Sequence, residues 1–437
     1  MFRKEYERKL LSTVEEGAKL FKSGDVIASN LISGMPVELL RKLSDRHQEL
    51  ENVKVYSVFA LEPFGFITDP EISKKISYTT LFCGPLERKL YGNKLFNVNS
   101  VNFSDLASVF VNQIKADWFV LQVTEMDENG FFNLGPMSGT YAREVLDTDI
   151  KVIVQVNRYL SPVNTTEVKE KGAVHLVHID EVDYIVEHDE KIKEIPSTQP
   201  TEVEGEIAKH IVPLIKEGST LQVGFGGLSN AVSLGLIGNV TGLAVHTEMI
   251  TESMVDLVNE GVITNGVYGA FAIGTQKLYD FTATHPDVKI GKLSEINYPH
   301  NISQIDNFVS INACLMVDLT GQVASECIGT RQVSSVGGAG DFVRGATHSK
   351  GGQSFVCVTS TNKGKDGKLT SNIVMAMPPS TPVSVPRQDV MNIVTEYGIA
   401  NIHNQPISER VRRLIAIAHP DFREELTRQA EEAGYLR

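Results

Sequence analysis

The chain has 437 residues, and 41 Lys and Arg against 54 Asp and Glu give it a formal net charge of −13. This acidic balance excludes the broad basic surface that nucleic-acid binding requires. No run of about 18 apolar residues is present, so we expect no membrane-spanning segment.

The amino terminus and the cysteines indicate the compartment. The first residues, MFRKEYERKLLSTVEEGAKL, have the pattern of a polar amphipathic helix and lack the apolar region of a signal peptide. The four cysteines are scattered without metal-ligand spacing: Cys83, Cys314, Cys327 and Cys357. We therefore expect a cytoplasmic protein with free thiols and no metal site.

Apolar runs alternate with helical patterns along most of the chain. Several of the runs are continuously apolar, which is typical of strands buried on both faces. The predicted strands are 53–59, 117–123, 149–157, 219–225, 242–247 and 308–319. Helical patterns such as 104–116 and 252–261 lie between them. The sequence therefore predicts an α/β protein with largely parallel, open sheets.

The two halves of the chain resemble each other. KSGDVIASNLISGMPVELL begins at Lys22, and KEGSTLQVGFGGLSNAVSL begins at Lys216, 194 residues later. A weaker echo pairs 116–130 with 306–321. A polar, proline-containing seam covers 188–210. We therefore predict two similar α/β domains.

The predicted domain boundaries follow from that seam. The first domain covers 1–195 and the second covers 203–437. The last 30 or so residues predict two helices, with Ser408 as a cap of the first and Pro420 at the start of the second. We interpret this helical carboxyl terminus as a packing element.

The first candidate motif is VGFGGLSNAV, residues 223–232. Its glycines follow a predicted strand and precede a predicted helix, where free N–H groups favour a negatively charged ligand. Ser229 occupies the third glycine position of the dinucleotide fingerprint, so that fingerprint is absent. A purely structural tight turn remains an alternative.

The second motif is LAVHTEM, residues 243–249, where a buried strand ends in His246, Thr247 and Glu248. Ligands bind at this edge of open α/β sheets. The alternatives are a solvated carboxylate at Glu248 and a merely hydrogen-bonded His246.

The third motif is SSVGGAGDFVRGATHSKGG, residues 334–352, with six glycines beside Arg344 and Lys350. We predict a loop that presents N–H groups and positive charge to phosphates or to a pantetheine arm. A flexible surface loop without a ligand is the alternative.

Together these motifs resemble the acetyl-CoA hydrolase/transferase family of CoA-transferases, and the 4-hydroxybutyrate and butyryl/acetate CoA-transferases in particular. The likeness extends over nearly the whole chain. The matching stretches are VNRYLSP (156–162), HIDEVDYIVE (178–187), VGFGGLSNAV, HTEM, DLTGQVASECIGTRQ (318–332), GGAGDFVRGA (337–346), VTEYGIA (394–400) and IAHPDFR (417–423). The resemblance implies two similar open α/β domains and a dimer.

The resemblance also implies the chemistry. It makes Glu248 the nucleophile that attacks an acyl-CoA thioester and then carries CoA as a glutamyl thioester, which a short-chain carboxylic acid attacks in turn. Backbone N–H groups of Gly226 and Gly227 are suited to holding the oxyanion. We expect CoA as a substrate and no permanently bound cofactor. The expected CoA-binding residues are Val223, Gly224, Phe225, Gly226, Gly227, Gly337, Gly338, Gly340, Gly345, Ala346 and, more weakly, Lys363.

The chain departs from the family pattern at three places. Ala339 and Gly340 stand where the family has a segment with glutamine, and Ser229 stands where it has proline. Residues 29–40 lack the polar, histidine-containing version of close relatives, so the acid substrate stays open.

Three alternatives to a transferase follow. An acyl-CoA hydrolase would use the same glutamate with water as acceptor. A catalytically silent CoA sensor would have little reason to retain Glu248. A nicotinamide dehydrogenase is disfavoured by the missing third glycine.

Overall fold

The computed structural model describes residues 2–164, 170–364 and 366–436. The chain forms two compact units, of which unit 1 comprises 1–195 and 268–296 and unit 2 comprises 196–267 and 297–437. Residues 268–296, which the sequence analysis placed in the second domain, cluster with unit 1. Backbone hydrogen bonds such as Gly139 N–H to Ala270 O (2.8 Å) hold that segment there.

The strands are short and numerous, as an α/β architecture requires. They are β1 (Val26–Ser29), β2 (Val53–Ser57), β3 (Ile76–Thr80), β4 (Asn97–Val98), β5 (Trp118–Val123), β6 (Phe131–Asn133), β7 (Lys151–Val156), β8 (Leu176–His178), β9 (Tyr184–Glu187), β10 (Thr220–Val223), β11 (Leu243–Ile250), β12 (Ile263–Ala272), β13 (Val288–Ile290), β14 (Phe308–Ala313), β15 (Met316–Asp318), β16 (Val323–Ala324), β17 (Cys327–Ile328), β18 (Arg331–Gln332), β19 (Gln353–Cys357), β20 (Thr361–Lys363), β21 (Leu369–Ser371), β22 (Ile373–Val374), β23 (Asn392–Thr395) and β24 (Gly398–Asn401).

The helices connect and cover these strands. They are α1 (Phe2–Lys9), α2 (Val14–Ala18), α3 (Val37–Asp45), α4 (Gly65–Thr68), α5 (Pro70–Ser73), α6 (Pro85–Leu90), α7 (Leu106–Ser108), α8 (Ala142–Leu146), α9 (Glu202–Ile211), α10 (Gly227–Leu236), α11 (Glu252–Asn259), α12 (Gln276–Thr284), α13 (Leu293–Ile296), α14 (Pro299–Ser303), α15 (Ala339–His348), α16 (Ile407–Ala416) and α17 (Pro420–Glu432). Within the described ranges, none of them is both long and apolar enough to cross a membrane.

Unit 1 is built on a seven-stranded sheet in the order β4-β3-β2-β1-β5-β7-β9. All of its strand pairs are parallel. Every residue of β5 is buried, as in parallel sheets covered on both faces. One core lies against this sheet and includes Leu39, Val55, Phe66 and Val120.

Unit 2 repeats this plan. Its strands follow the order β11-β10-β14-β19-β23-β24, and β12, whose first residues belong to this unit, lies beside β11. The β10, β11, β14, β19 and β23 pairs are parallel, and the edge strand β24 is antiparallel. The helices α16 and α17 contribute Leu414 and Leu426 to its core. The predicted fold class, two similar and largely parallel α/β domains with a helical carboxyl terminus, is confirmed.

Two of the predicted elements differ in detail from the elements in the structure. The predicted strand 308–319 is divided into β14 and β15, with Cys314 and Leu315 between them. The predicted helix 104–116 is a 3-10 turn (Phe103–Asp105), the short α7 and a π-helix (Val109–Ile114). The pattern at 104–116 thus correctly predicts a helical segment, but it does not predict that most of this segment is 3-10 and π-helix in place of α-helix.

The duplication has one consequence for the chemistry. Val26 of β1 corresponds to Thr220 of β10, and these residues pair with Lys54 and Ala244, respectively. Counting four residues onward places Val58 of unit 1 at the position that Glu248 has in unit 2. Only one of the two repeated edges therefore carries the carboxylate.

Candidate active site

Glu248 stands near the end of β11, at the carboxyl edge of the unit 2 sheet. Strand β10 runs parallel to β11, with Leu221 opposite Val245. Continuing this register by three residues puts Gly224, the first glycine of the GFGG turn, level with Glu248. Neighbouring strands lie about 4.8 Å apart, so the turn and the carboxylate share one sheet edge.

A buried asparagine holds the carboxylate of Glu248. Asn297 is fully buried, and its Nδ2 donates a hydrogen bond of 2.8 Å to Glu248 Oε2. Asn297 Oδ1 is also buried and has no hydrogen-bond partner within the described chain. The side chain of Asn297 thus has one polar atom engaged with Glu248 and one that is unsatisfied.

The backbone of Gly338 closes the other side of this pair. A Cβ atom at position 338 would overlap both Glu248 Oε2 and Asn297 Nδ2. Gly338 is the amino-terminal cap of α15, whose first N–H groups have no partner within the helix. A helix terminus of this kind favours negative charge.

The environment of Glu248 raises its pKa to about 7. Burial of the carboxyl group is the main cause, the hydrogen bond from Asn297 opposes it, and the negative charge of Asp341 adds to it. Asp341 is itself buried, in the first turn of α15. Near pH 7 the Glu248 carboxyl group is therefore close to its midpoint of titration, and above that pH it is an ionised but poorly solvated carboxylate, which is the state that a nucleophile needs.

The GFGG turn has the conformation that its glycines permit. Gly226 has φ +113°, a value that other residues rarely adopt, and it caps α10. Gly227 is packed against the carboxylate of Glu204, where a Cβ would not fit. The side chain of Val223 is buried, whereas Phe225 is 43% exposed. The backbone of Gly224, Gly226 and Gly227 thus lies at the sheet edge. The buried side chain of Val223 packs in the core and is not available to a ligand there.

The predicted glycine-rich loop 334–352 is wrong over half its length, because residues 339–348 form α15. Gly345 lies against Ile302, where a Cβ would come within 2.5 Å of its side chain, and Ala346 is fully buried. Gly345 therefore serves close helix packing between α14 and α15. Of the predicted CoA-binding residues here, only Gly337, Gly338 and Gly340 lie at the start of this helix.

The basic residues singled out in the sequence lie elsewhere. Arg344 donates two hydrogen bonds to Asp389 Oδ2 (3.0 and 2.8 Å). Lys350 is 3.5 Å from Asp306. Lys363 is exposed on the β20–β21 hairpin, which is outside the main sheet. None of these contacts brings a cation to Glu248.

His246 has a packing environment. Its ring is buried and lies edge-on to Phe308 and Phe342, with ring centroids 5.9 and 6.4 Å apart. This position fits the alternative in which His246 is a neighbour of the site and not a catalytic base.

Two functional candidates escaped the sequence analysis, Asn297 and Asp341. Asn297 follows Glu248 by 49 residues in a segment, LSEINYPH, that has no motif. Asp341 lies inside the GGAGDF match, so the charged residue beside the glycines is a usable signal.

No group of three His, Cys, Asp or Glu side chains suited to a metal ion occurs among residues 2–164, 170–364 and 366–436. The four cysteines are free thiols.

The family models and the similar proteins all indicate the same family. Residues 1–196 match the model of the acetyl-CoA hydrolase/transferase N-terminal domain, and residues 274–430 match that of the C-terminal domain. The chain is 36% identical to a succinyl-CoA:cyclohexane-1-carboxylate CoA transferase of Geobacter metallireducens, covering 100% of this chain and 98% of that protein. It is 36% identical to a butyryl-CoA:acetate CoA-transferase of Anaerostipes caccae, covering 100% and 99%. The crystal structure of RipA from Yersinia pestis has a TM-score of 0.90 at 33% identity, with full coverage of both chains.

Proposed function

This chain belongs to the acetyl-CoA hydrolase/transferase family, and we propose that it moves CoA between an acyl-CoA and a short-chain carboxylic acid through a thioester on Glu248. The relatives that match it over its full length are CoA-transferases, so the enzyme is an acyl-CoA:carboxylate CoA-transferase. The hydrolase alternative is not favoured by these relatives. For the acid we propose the butyrate, acetate or 4-hydroxybutyrate type.

The proposed reaction has two matched halves. A carboxylate oxygen of Glu248 attacks the thioester carbonyl, and the C–S bond breaks to give a mixed anhydride and CoA thiolate. The thiolate attacks the glutamyl carbonyl of the anhydride, which releases the first acid and leaves glutamyl-CoA. The carboxylate of the second acid attacks the glutamyl carbonyl of this thioester, and the C–S bond breaks to give a second mixed anhydride and CoA thiolate. The thiolate then attacks the acyl carbonyl of this anhydride, which forms the new acyl-CoA and releases the Glu248 carboxylate.

The hydrogen bond from Asn297 to Glu248 is the observation that carries the proposal. When a nucleophile attacks the glutamyl carbonyl, negative charge develops on an oxygen that belonged to the carboxylate. A donor already aimed at that oxygen stabilises the charge without having to reorganise. The amino terminus of α15 at Gly338 supplies further positive potential at the same place.

CoA itself is proposed to bind along the glycine segments. Gly224, Phe225 and Gly226 are partly or fully exposed at the sheet edge, Gly227 is buried behind them, and Gly337 and Gly338 lie at the start of α15. Gly226 and Gly227 remain candidates for holding the oxyanion on the acyl carbonyl. Lys363 is exposed and available to a phosphate.

Compartment and assembly belong to the same proposal. The four free thiols suit a reducing compartment, so we assign the enzyme to the cytoplasm. We also propose a homodimer, as the family resemblance implies, and the use of CoA as a substrate without a resident cofactor. Light scattering on the purified protein tests the dimer.

The decisive experiment is trapping of the intermediate. The enzyme is incubated with acyl-CoA, reduced with borohydride and digested, and we expect an alcohol in place of the carboxyl group at Glu248. The Glu248→Gln variant serves as the control and should stay unmodified. Full activity without that alcohol would reject the covalent mechanism, and thiol release that is equally fast with and without acetate would favour the hydrolase.

A further inference from the structure

The GFGG turn is contacted by a helix that has no part in the proposed mechanism. Helix α9 precedes the turn in the sequence, and both belong to unit 2. The side chain of Glu204, in the first turn of α9, lies against Gly227. A Cβ atom at position 227 would overlap Glu204 Oε2 and would lie 2.8 Å from Glu204 Cδ. The carboxylate of Glu204 therefore fills the space that a side chain at position 227 would need.

Glu204 is held in this place by the start of its own helix. Thr201 is the N-cap of α9, and both its backbone N–H and its Oγ1 donate hydrogen bonds of 2.8 Å to Glu204 Oε2. The Glu204 N–H donates in return to Thr201 Oγ1 (3.3 Å), which completes a capping box. These hydrogen bonds restrict the rotation of the Glu204 side chain, so its carboxylate presents a fixed surface to Gly227.

Helix α10 has no cap or acidic residue of its own at this end. Its N-cap is Gly226, which has no side chain to accept a hydrogen bond, and its first turn contains no Asp or Glu. A carboxylate close to the first turn of a helix is stabilising, because the free N–H groups there carry partial positive charge. Glu204 supplies this negative charge from a neighbouring helix, at the residue where the GFGG turn becomes α10.

A second contact ties the same segment to α10. Asn230 Nδ2 donates hydrogen bonds to Ser197 Oγ (2.6 Å) and to Thr198 O (2.5 Å). Residues 197–204 lie within the polar seam of the sequence analysis, and they contact α10 at two residues of its first turn, Gly227 and Asn230. This part of the seam therefore does more than connect two domains, because it fixes the start of α10.

We propose that Glu204 is a positioning residue for CoA transfer. It holds Gly227, and with it the backbone N–H groups of the GFGG turn, in the place where they stabilise the oxyanion on the acyl carbonyl. A donor is effective only when it is aimed at the charge before the charge develops, so a turn displaced by about 1 Å loses much of its effect. This inference rests on the proposed transferase function, in which Gly226 and Gly227 hold that oxyanion.

The first test removes the contact and measures kcat and KM separately in the full-length enzyme, with acetyl-CoA and butyrate as substrates. Glu204→Ala should lower kcat about tenfold to 100-fold and leave KM within about twofold, because the turn acts on the transition state. Glu204→Gln should recover most of this loss, since glutamine keeps the length of the side chain and also completes capping boxes. Glu204→Asp keeps the charge but is shorter by one methylene group, so it should show the loss and replaces Glu204→Ala if that variant does not fold.

The second test exchanges volume between the two positions in contact. Gly227→Ala should lower kcat at least as much as Glu204→Ala, because the added methyl group overlaps the carboxylate. In the double variant the methyl group has space, so kcat should be no lower than in Glu204→Ala alone. Such non-additivity is expected of residues that touch each other.

Gly235→Ala is the matched control. A Cβ atom at position 235 would lie 2.8 Å from Val212 Cγ2, so this variant also disturbs the packing of α10 against the segment that follows α9. Position 235 is near the far end of α10, about 12 Å along the helix from Gly227. Its kcat should therefore equal that of the parent enzyme, even where its Tm falls.

The outcomes separate the two proposals. An unchanged kcat in Glu204→Ala, an equal loss in Glu204→Gln or an equal loss in Gly235→Ala would overturn the inference and leave the transferase intact. A double variant whose loss is the product of the two single losses would do the same. Absence of acyl-CoA formation by the parent enzyme, with no trapped Glu248, would instead reject the proposed function itself.

Discussion

Gly338 lies so close to Glu248 that position 338 has no room for a side chain. A methyl group there would overlap Glu248 Oε2 and also Asn297 Nδ2. The backbone conformation at Gly338, with φ −100°, is open to alanine, so the restriction is purely one of space. The glycine at the start of α15 thus fixes where the carboxylate can be.

The first prediction concerns this contact. Gly338→Ala should lower kcat for transfer about 100-fold, because displacing a reacting group by about 1 Å has an effect of this size. The measurement is exchange of labelled acid into acyl-CoA. Gly205→Ala is the control, because Gly205 is a helical glycine with open space around it, and this variant should keep full activity. Equal rates in the two variants would contradict the prediction.

The second prediction is a pH dependence. Glu248 must be ionised to attack, and its pKa is raised to about 7 by burial. The value of kcat/KM for acyl-CoA should therefore be level above about pH 7 and fall about tenfold per pH unit below it. A fall centred near pH 4.5, the ordinary value for glutamic acid, would show that the carboxyl group is solvated in the working enzyme.

The third prediction uses two neighbours with opposite effects on the pKa of Glu248. Asn297 lowers this pKa by donating a hydrogen bond, and Asp341 raises it by its negative charge. In Asn297→Ala the acid limb of the pH profile should move to higher pH, and in Asp341→Asn it should move to lower pH. Asn297→Ala should also reduce the plateau rate about 100-fold or more, as removal of one oxyanion donor does.

These two variants distinguish electrostatic from structural roles. A loss of folding would lower the rate at every pH and leave the midpoint of the limb in place. Movement of both midpoints in the same direction would contradict the assignment of Asn297 and Asp341.

The fourth prediction concerns stability. The pKa of Glu248 is higher in the folded chain than in the unfolded one, so the native state binds the proton more tightly between about pH 4.5 and pH 7. Stability contributed by this group is complete below pH 4.5 and is lost as the pH rises to about 7. Glu248→Gln should therefore be more stable than the parent above pH 7, by about 3 kcal/mol at most.

Thermal unfolding at several pH values measures this effect. The difference in Tm between Glu248→Gln and the parent should grow from pH 4.5 to pH 7 and stay constant above. A difference that is independent of pH would mean that Glu248 is not destabilised by its burial.

Much of this architecture could be predicted from the sequence, because buried parallel strands leave a strong local signal. The strand that carries Glu248 is predicted over 242–247 and is found as Leu243–Ile250, and the repeat at Lys22 and Lys216 correctly indicates two similar units. The assignment of a site to the edge at the end of β11 follows from the rule for open sheets together with the LAVHTEM motif.

What the sequence could not show depends on contacts between distant segments. Residues 339–348 were read as a loop because glycine is a poor helix former, yet Gly345 is required where α15 packs on Ile302. Asn297 is a single amide in a segment without a pattern, and only the folded chain reveals its hydrogen bond to Glu248. The secondary-structure propensity of a segment contains no information on the packing of Gly345 against Ile302 or on the hydrogen bond from Asn297 to Glu248.

Val58, at the position in the first repeat that matches Glu248, has a practical consequence. The matching edge of unit 1 lacks the side chain on which the proposed thioester forms. We therefore expect one molecule of CoA to be held covalently per chain, in unit 2, and not one per repeat.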